Sequence, residues 1–423
     1  MSVTKNFLAV HWLQTLPVSN PNRDRTGAPK TTYYGGSIRG RISSQCWSRE
    51  VRETFNRTWD GDSGTRSRLW PDRIAQRLSE EYGYNRNDAL TLAFLILSST
   101  GAKTKDMNTF QGGQSDVLMF LSGNELEEMV ALAQRYKLDL DQALEILRPG
   151  VQAALEAGKG APSLELSSGK KGKGKARESS EPGPDLGELH KRVKNFIENN
   201  RSAADIALFG RFMASLNEAR IDGALARSHM ETTHSAAVET DFWTALDDFG
   251  KSSGDDEDDD VGSGAGHMGD RPQTSGVYAG SCALDLSTLR ENLGKDGDVA
   301  KAVNHFLKAL ITAPRGKGYI HQFHHRSLPA VVVAELTEAC PLNCAVAFEK
   351  PTARGERGGY LINSVKQLDS WWHNQHTLLA GLVETRTWAV ADPEVHEQLA
   401  HLKSHLKPNY VDLLLEIQTQ LEG

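Results

Sequence analysis

Residues 22–30 read Asn-Arg-Asp-Arg-Thr-Gly-Ala-Pro-Lys, residues 33–45 read Tyr-Tyr-Gly-Gly-Ser-Ile-Arg-Gly-Arg-Ile-Ser-Ser-Gln, and residues 46–55 read Cys-Trp-Ser-Arg-Glu-Val-Arg-Glu-Thr-Phe. The first segment has the composition of a basic loop, and the second has that of a strand interrupted by glycines. In the third, Trp47, Val51 and Phe55 recur at the spacing of one helix face. The stretch therefore predicts a loop, a strand and a helix in succession.

Ser43, Ser44 and Gln45 lie where the predicted strand meets the predicted helix, and Ser44 is the expected N-cap. The first amides of a helix have no partner within the helix, and the helix dipole is positive there. Hydroxyl and amide side chains at this point can therefore hold a phosphate group. Arg49 and Arg52 fall on the helix face away from the apolar stripe, where they add positive charge.

Positive charge is concentrated at the start of an acidic chain. Nine positive and three negative side chains give residues 1–58 a net charge of +6, whereas the whole chain of 423 residues carries −7. Glycines in the same stretch allow a polyanion to approach the backbone closely. We therefore expect nucleic-acid phosphates as the ligand, and the competing interpretation is an ordinary solvated basic face. The candidate cations are Arg23, Lys30, Arg41, Arg49 and Arg52.

Several blocks of the sequence resemble the CasC family, the backbone subunit of the type I-E CRISPR surveillance complex called Cascade. The N-terminal signature comprises Asn22-Arg23-Asp24, Lys30, Gly35-Gly36, Arg41-Ile42-Ser43-Ser44-Gln45 and Arg49. Further blocks follow in the family's order at Asp205–Arg211, Asp222–Ala224, Thr232–His234, Asp241–Asp248, Ser275–Tyr278 and Leu289–Gly294, with weaker similarity at Ala347–Lys350. The resemblance thus extends over most of residues 5–294 and does not rest on one motif.

The resemblance implies a non-catalytic protein that lies in several copies along a CRISPR guide RNA (crRNA) and presents its spacer for pairing with target DNA in antiviral defence. It implies neither a cofactor nor a membrane partner. The expected partners are the crRNA, the target DNA strand, further copies of the chain, the large and small Cascade subunits, the subunit that caps the crRNA 5′ end, the crRNA-processing endonuclease subunit and, indirectly, the effector nuclease-helicase.

The implied fold is of the α+β class, with a ferredoxin-like (RRM-like) palm, a large helical insertion called the fingers and a projecting β-hairpin called the thumb. The corresponding boundaries are 1–59, 190–228 and 281–423 for the palm with its C-terminal helices, 60–189 for the fingers and 229–280 for the thumb. Strand patterns at 279–286 and 327–336 flank a helix pattern at 298–310, which agrees with the palm order. Helical patterns at 365–382 and 393–421 end the chain.

The fingers segment has apolar residues at three- and four-residue steps, for example around Ile74 and Leu78, and predicts a mainly helical insertion. It ends in residues 158–184, whose glycines, serines and lysines leave too few apolar groups to offset the entropy of ordering. We expect a mobile loop there, either an inert linker or a contact to nucleic-acid phosphates. The resemblance favours target DNA, with four candidate contacts at Lys170, Lys171, Lys173 and Lys175.

A strand is expected from Asp205 to Met213, in which Arg211 adjoins the apolar Phe212. A cation beside an apolar side chain can support an unstacked base, although most such aromatic residues belong to a core. The resemblance assigns a base-supporting role to the position of Phe212, and we include Arg211 and Met213 with it as RNA-binding candidates. It adds three further RNA-binding candidates, Thr232, Thr233 and His234.

Within residues 229–280, the apolar residues Phe242, Trp243 and Leu246 lead into a run of carboxylates at 255–260. The pattern indicates a projecting hairpin with a solvated acidic tip, and the simpler interpretation is a surface loop. The resemblance implies a thumb that reaches over the guide RNA toward the adjacent copy. It places the three apolar side chains at that interface, while the carboxylates stay away from phosphates.

No stretch is long and apolar enough to span a bilayer, and the N-terminus lacks a signal-peptide profile, so we expect a cytoplasmic protein. Four cysteines are too few for a disulfide scaffold in a chain of this size. Cys340 and Cys344 follow His321, His324 and His325, but the spacing differs from that of a zinc finger. We therefore expect no metal.

Two other classes of function remain open. Asp24 would be the catalytic residue of a metal-dependent ribonuclease, because backbone proteins of similar architecture in type III complexes cut RNA with a loop aspartate. Its neighbours Arg23 and Arg25 favour a structural role for this carboxylate instead. A general binder of single-stranded nucleic acid without a fixed assembly would carry the same basic surface.

Overall fold

A computed structural model describes residues 6–158, 160–164, 184–246, 265–316 and 327–422. These residues form a mixed α/β structure with an antiparallel sheet and many helices. The strands are β1 Phe7–Ser19, β2 Thr31–Tyr34, β3 Ser37–Ile42, β4 Gly64–Ser67, β5 Met119–Ser122, β6 Leu225–Arg227, β7 Met230–Thr232, β8 Glu239–Leu246, β9 Ala265–Asp285, β10 Val331–Thr337 and β11 Thr385–Ala391.

Helices connect and cover the strands. They are α1 Ser44–Thr58, α2 Trp70–Tyr82, α3 Arg86–Leu97, α4 Met107–Gln111, α5 Gly123–Arg135, α6 Lys137–Ala157, α7 Gly187–Asn199, α8 Ala204–Phe209, α9 Leu286–Leu293, α10 Val299–Thr312, α11 Leu361–Leu379 and α12 Tyr410–Glu422. Short 3₁₀ turns lie at Ser98–Thr100, Asn217–Ala219, Cys344–Phe348, Pro393–Gln398 and Leu402–His405.

The chain divides into two compact units, which are described separately. The sheet unit comprises Met1–Thr58, Leu225–Leu289 and Asp298–Gly423. The helical unit comprises Trp59–Ala224 and Arg290–Gly297.

The main sheet has the strand order β11-β10-β1-β9-β7-β3-β2, and β6 and β8 also pair with β9. β1 is antiparallel to both of its neighbours, with Phe7 opposite Thr337 of β10 and Asp285 of β9. It extends to Ser19 because β9 continues to pair with it past a bulge that follows Leu16. A parallel bridge between Ala389 and Leu406 covers the outer edge of β11, whereas β2 ends the sheet at the other side.

The two faces of β1 pack against different helices, which explains its nearly continuous apolar sequence. On one face, Trp12 lies edge-on to Trp47 of α1, with ring centroids 5.4 Å apart. On the other face, Leu13 joins a buried cluster with Val365 and Trp372 of α11. The predicted apolar face of α1 is thus buried against the sheet, as the spacing of Trp47 and Val51 indicated.

A buried polar network crosses β1, β9 and β10 in the sheet unit. His11 Nδ1 lies 2.9 Å from Ser281 Oγ, and His11 Nε2 lies 3.4 Å from Glu335 Oε2. The other carboxylate oxygen of Glu335 accepts a hydrogen bond from Trp372 and lies 2.7 Å from His376 Nε2. The strands are therefore joined by an ion pair in addition to their backbone ladder.

The charge state of His11 follows from its partners. Burial alone disfavours the imidazolium, but Cys344 and Glu335 outweigh it and raise the pKa of His11 to about 10. Burial opposes ionisation of Glu335 as well, yet His11 and His376 hold its pKa well below the ordinary range. The pair is thus ionised at neutral pH.

The helical unit has its own core, built from the apolar stripes of α2, α3, α5, α6 and α7. The boundaries expected from the sequence assign 190–228 to the palm, whereas the structure groups residues 190–224 with the helical unit. These residues group with the helical unit because Leu189, Val193 and Ile197 of α7 are buried in its core.

Two predicted elements differ from the structure. Residues 205–209 form α8 and not the expected strand; Gly210, at φ +82°, ends the helix. At the C-terminus, residues 385–391 form β11, which the helix patterns missed. The predicted helix over 393–421 begins only at Tyr410, because two 3₁₀ turns and Pro408 precede it.

Some predictions concern residues outside the described ranges. They are the phosphate contacts at Lys170, Lys171, Lys173 and Lys175, the acidic run at 255–260, and the histidines at 321, 324 and 325. In the ranges that are described, no cluster of three or more His, Cys, Asp or Glu side chains has the arrangement of a metal site. Among the same residues, no helix combines the length and hydropathy needed to cross a membrane.

The His11–Glu335 pair predicts a fall in stability at alkaline pH. The folded-state pKa of His11, about 10, exceeds its ordinary value of 6.5, so the contribution is complete below pH 6.5 and is lost as pH rises through about 10. Glu335→Gln should lower the free energy of unfolding near pH 7 by about 3–5 kcal/mol and flatten this part of the pH dependence. Denaturant titrations between pH 6 and pH 10 measure both effects. Equal slopes in the variant and the wild type would contradict the assignment.

Candidate nucleic-acid interface

The start of α1 is held by residues distant in sequence. Ser43, and not Ser44, is the N-cap, because its hydroxyl accepts a hydrogen bond from the Cys46 amide. The Ser43 amide donates to Asn22 Oδ1 and the Ser44 amide to His229 Nδ1, each at 2.9 Å. Among the described residues, the backbone amide of Gln45 is therefore the donor of the first turn that has no partner. The side chain of Gln45 is exposed.

The basic loop before α1 is a compact turn organised by Asp24. One carboxylate oxygen of Asp24 accepts hydrogen bonds from the amide and hydroxyl of Thr26 and from the amide of Ala28. These bonds, led by that of the Thr26 hydroxyl, lower the pKa of Asp24. The Lys30 amide donates to the Asn22 carbonyl at 2.8 Å and so closes the base of the loop. The loop therefore has a defined shape.

Lys30 and Arg41 lie close to His229 at the start of α1. Burial, followed by the positive charges of Arg41 and Lys30, lowers the pKa of His229. The imidazole is thus neutral at pH 7, and its Nδ1 accepts the Ser44 amide. The Nε atom of Arg41 is buried without a protein partner among the described residues. This group of side chains offers positive charge and donors to an anion at one point of the sheet unit.

The outer face of α1 carries the other predicted cations. Arg49 is exposed and pairs with Glu53 one turn later, at 2.9 Å, while Arg52 is half-buried. Ser48 is buried and accepts a hydrogen bond from Arg227 at 3.0 Å. Arg227 is a cation that was not among the candidates predicted from the sequence. Arg23 lies exposed on the basic loop. The structure thus places Lys30, Arg41, Ser43, Ser44 and Gln45 at or beside the start of α1. Arg49 and Arg52 lie further along the helix, and Arg23 lies on the loop before it.

Thr232, Thr233 and His234 lie inside the sheet unit and have bonding partners there. Thr232 Oγ1 donates to the His234 carbonyl at 2.7 Å and accepts from the Gly40 amide. The Val277 amide donates to His234 Nε2, so the ring is the neutral Nδ1–H tautomer and donates to the Ser235 carbonyl. These side chains are used within the fold, in contrast to the expected direct RNA contact.

Arg211, Phe212 and Met213 of the helical unit have three different environments. Arg211 is 2% exposed and pairs with the buried Glu125, with 2.6 Å between Nη1 and Oε1. Met213 is fully buried in the helical core, whereas Phe212 is 67% exposed. Of the three predicted contacts, only Phe212 presents its side chain at the surface.

The β8–β9 hairpin carries the residues predicted for the thumb. Phe242 is 53% exposed, and Trp243 lies opposite Gly269 with the Arg271 guanidinium 4.9 Å from its ring centroid. Leu246 is the last described residue of β8, and its side chain lies outside the described atoms. Phe242 and Trp243 point to opposite faces of the hairpin, because they are adjacent in a strand.

A family model with the description CT1975-like protein matches residues 8–412 of the chain. The chain belongs to the CT1975-like protein family. A comparison with curated proteins gave no match.

Two solved structures are similar to this CT1975-like protein over 98% of its chain and 99% of theirs. A chain of a "CRISPR RNA-guided surveillance complex, pre-nicking" has 26% identity and a TM-score of 0.73. A chain of a "CRISPR RNA-guided surveillance complex" has 22% identity and a TM-score of 0.66, and this second likeness concerns the fold alone. Together with the family match, these two structures confirm the resemblance to CRISPR surveillance-complex proteins that the sequence indicated.

The buried pair in the helical unit yields a prediction about Arg211 in this CT1975-like protein. Arg211→Met should lower the free energy of unfolding by about 3–5 kcal/mol, because it leaves Glu125 buried without its counter-charge. Adding Glu125→Gln should recover much of this loss, since the amide oxygen can still accept from the Ser122 amide. Denaturant unfolding of both variants measures the effect.

Phe212→Ser serves as the neighbouring control, because its exposed side chain should change stability by only about 0.5 kcal/mol. If Arg211→Met unfolds like the wild type and only nucleic-acid binding falls, Arg211 contacts RNA and the structural assignment is wrong.

Proposed function

We propose that this CT1975-like protein is a non-catalytic backbone subunit of a type I-E CRISPR surveillance complex. It binds the sugar-phosphate chain of crRNA, assembles in several copies along it and presents the spacer for pairing with target DNA. The observation that carries the proposal is the group of Lys30, Arg41 and the Gln45 amide at the start of α1. The similarity of the whole chain to a chain of an RNA-guided surveillance complex, at 26% identity, supports the choice of guide RNA as ligand.

Phosphate binding follows from the chemistry at this surface. Arg23 and Lys30 on the loop, together with Arg41 beside the helix, neutralise phosphate charge, and Gln45 offers donors at the positive end of α1. Asn22 and His229 already satisfy two amides of the first turn, so their role is to fix the shape of the surface. Contacts to the backbone leave base edges free, and sequence is then read by base pairing.

The strand order of the sheet unit supports a ferredoxin-like palm. Counting β1, the β6–β7 segment, β9 and β10 as the four principal strands, their spatial order is fourth, first, third, second, and adjacent strands are antiparallel. α1 follows the first strand and α10 follows the third. This is the arrangement of a split βαβ repeat.

We assign the helical unit as the fingers and the β8–β9 hairpin as the thumb. The exposed Phe212 is a candidate support for an unstacked base, and Phe242 with Trp243 are candidates for the contact to a neighbouring copy. Lys170, Lys171, Lys173 and Lys175 remain the candidates for target DNA on sequence grounds. Interaction with the remaining Cascade subunits and cytoplasmic location are part of the same proposal.

The hydrogen bonds of Asp24 favour a non-catalytic role over the ribonuclease hypothesis. One of its oxygens accepts three bonds that shape the basic loop, so the carboxylate serves as a turn anchor. RNA cleavage that requires magnesium and disappears in Asp24→Ala would instead establish the ribonuclease.

Substitutions at this surface should weaken guide binding to the same extent whatever the spacer sequence. Arg23→Ala and Lys30→Ala should each weaken binding to guide RNAs with one repeat and unrelated spacers, and each should reduce the salt slope of the association constant by about 0.7. Gln45→Ala keeps the backbone amide but removes the exposed side-chain amide, so it should weaken binding without changing this slope, because no charge is lost. Electrophoretic or fluorescence titrations at several salt concentrations measure both quantities.

Lys308→Ala, on the exposed side of α10, is the matched control and should leave binding unchanged. Losses that depend strongly on the spacer would contradict backbone recognition. Size-exclusion mass with and without a repeat-containing guide separates the assembling subunit from a general single-strand binder, which would form no defined particle.

A further inference from the structure

Residues 350–360, here called the arginine loop, form a second basic feature of the sheet unit. They read Lys-Pro-Thr-Ala-Arg-Gly-Glu-Arg-Gly-Gly-Tyr. Lys350, Arg354 and Arg357 are exposed, and none of them forms an ion pair within the described part of the chain. The surface around the start of α1 does not include these three cations, so they require a separate explanation.

Side chains of α11 hold the backbone just before the arginine loop and at its beginning. Gln367 Nε2 donates to the carbonyls of Ala347 and Lys350, at 2.7 and 3.0 Å. Asn363 Nδ2 donates to the Ala353 carbonyl at 3.0 Å. Three carbonyls are thus bound by the same helix, and the charged side chains extend from a positioned backbone.

The tip of the arginine loop is closed on itself. The Gly355 amide donates to the Gly359 carbonyl at 2.8 Å, and the Gly358 amide donates to the Gly355 carbonyl at 2.9 Å. Gly358 and Gly359 have φ values of +93° and +71°, which residues with a Cβ adopt only with strain. Arg354 and Arg357 therefore project from a defined turn.

The Thr232–His234 segment supports this loop from below. The Thr352 amide donates to the Thr233 carbonyl at 2.8 Å, and the Thr233 and Ser364 hydroxyls lie 2.7 Å apart. The His234 ring stacks on Tyr360 with centroids 3.6 Å apart and planes inclined by 10°. The motif that the sequence offered as an RNA contact is thus in contact with the base of the arginine loop.

The turn directly before the arginine loop contacts the β2–β3 hairpin, which precedes α1. Arg39 of β3 donates to the Phe348 carbonyl at 2.9 Å, and Tyr34 donates to the Ala345 carbonyl at 3.4 Å. A Cβ on Gly35 would overlap the Glu349 carbonyl oxygen, so the two backbones are in direct contact. The two basic features therefore share one continuous support.

We propose that the arginine loop is a second contact for the guide-RNA backbone, with Lys350, Arg354 and Arg357 as phosphate ligands and Thr233 and His234 as positioning residues. This inference rests on the proposed function. Guanidinium groups bind phosphate oxygens in pairs, and a positioned loop loses little entropy on binding. An acidic protein surface would suit the same charges, but the shared support with the hairpin at the α1 surface favours RNA.

The test uses the complete chain and single-stranded, repeat-containing guide RNA. Arg354→Ala with Arg357→Ala should weaken binding and make the plot of log K against log salt shallower by about 1.4, or about 0.7 for each phosphate contact. The control is Lys308→Ala with Lys403→Ala, which removes the same charge from exposed positions on α10 and a 3₁₀ turn. The control should keep the wild-type slope.

A slope and affinity equal to those of the wild type in the arginine variant would overturn this inference and leave the proposed function intact. Failure of the wild type itself to bind guide RNA would overturn the proposed function. Normal RNA binding together with a loss of assembly between copies would show that the arginine loop binds protein, which also overturns the inference.

The positioning role of Thr233 is tested by a separate measurement. Thr233→Val removes the hydroxyl contact to Ser364 and should reduce the salt slope, whereas Thr233→Ser should restore it. Thr233→Val should add little to the arginine variant, because the two act through the same contact. A full additional loss in the triple variant would show that Thr233 acts elsewhere and would overturn its assignment.

Discussion

The buried guanidinium of Arg39 is the interaction on which the sheet unit's basic surface depends. It donates to the carbonyls of Tyr34, Thr232 and Phe348, at 3.2, 3.0 and 2.9 Å. Burial lowers the pKa of Arg39, and the nearby carboxylates of Glu231 and Glu349 oppose this effect. Because the three carbonyls belong to the hairpin, to β7 and to the turn before the arginine loop, one side chain sets the relative positions of three segments.

Arginine therefore has two distinct uses in this protein. Arg39 and Arg211 are internal cross-links that satisfy backbone carbonyls or a buried carboxylate, whereas Arg354 and Arg357 remain exposed. A buried charge without partners is strongly unfavourable, so each internal arginine needs acceptors brought together by the fold. In the sequence, both classes are simply positive residues near glycines and apolar side chains.

The sequence predicted best where structure is determined locally. The helix after Ser43 and the insertion around Ile74 and Leu78 follow from the spacing of apolar residues, which reports one buried face. The strand nature of β11 was missed because its burial depends on pairing with β10, more than 40 residues earlier. Similarly, the short α8 depends on Gly64, whose amide donates to Asp205 at 2.7 Å.

The candidate site likewise combines features that the local sequence predicts with features that depend on distant residues. The group around the start of α1 was predicted from its glycines, hydroxyls and charges, but Asn22 and His229, which satisfy its amides, come from separate parts of the chain. Arg211 was predicted as an RNA contact because it adjoins Phe212, and nothing near it in the sequence reveals its partner Glu125, which lies 86 residues away. The burial of His234 likewise depends on Tyr360 and Val277.

The two ends of the main sheet differ in a way that bears on solubility. Beyond β11, the Lys407 amide donates to the Ala389 carbonyl at 2.7 Å, so a following segment of the chain covers the middle of that border. At the opposite border, β2 has four residues, and Thr31 and Tyr33 are exposed. A strand this short presents few backbone groups to a foreign strand, which limits edge-to-edge aggregation.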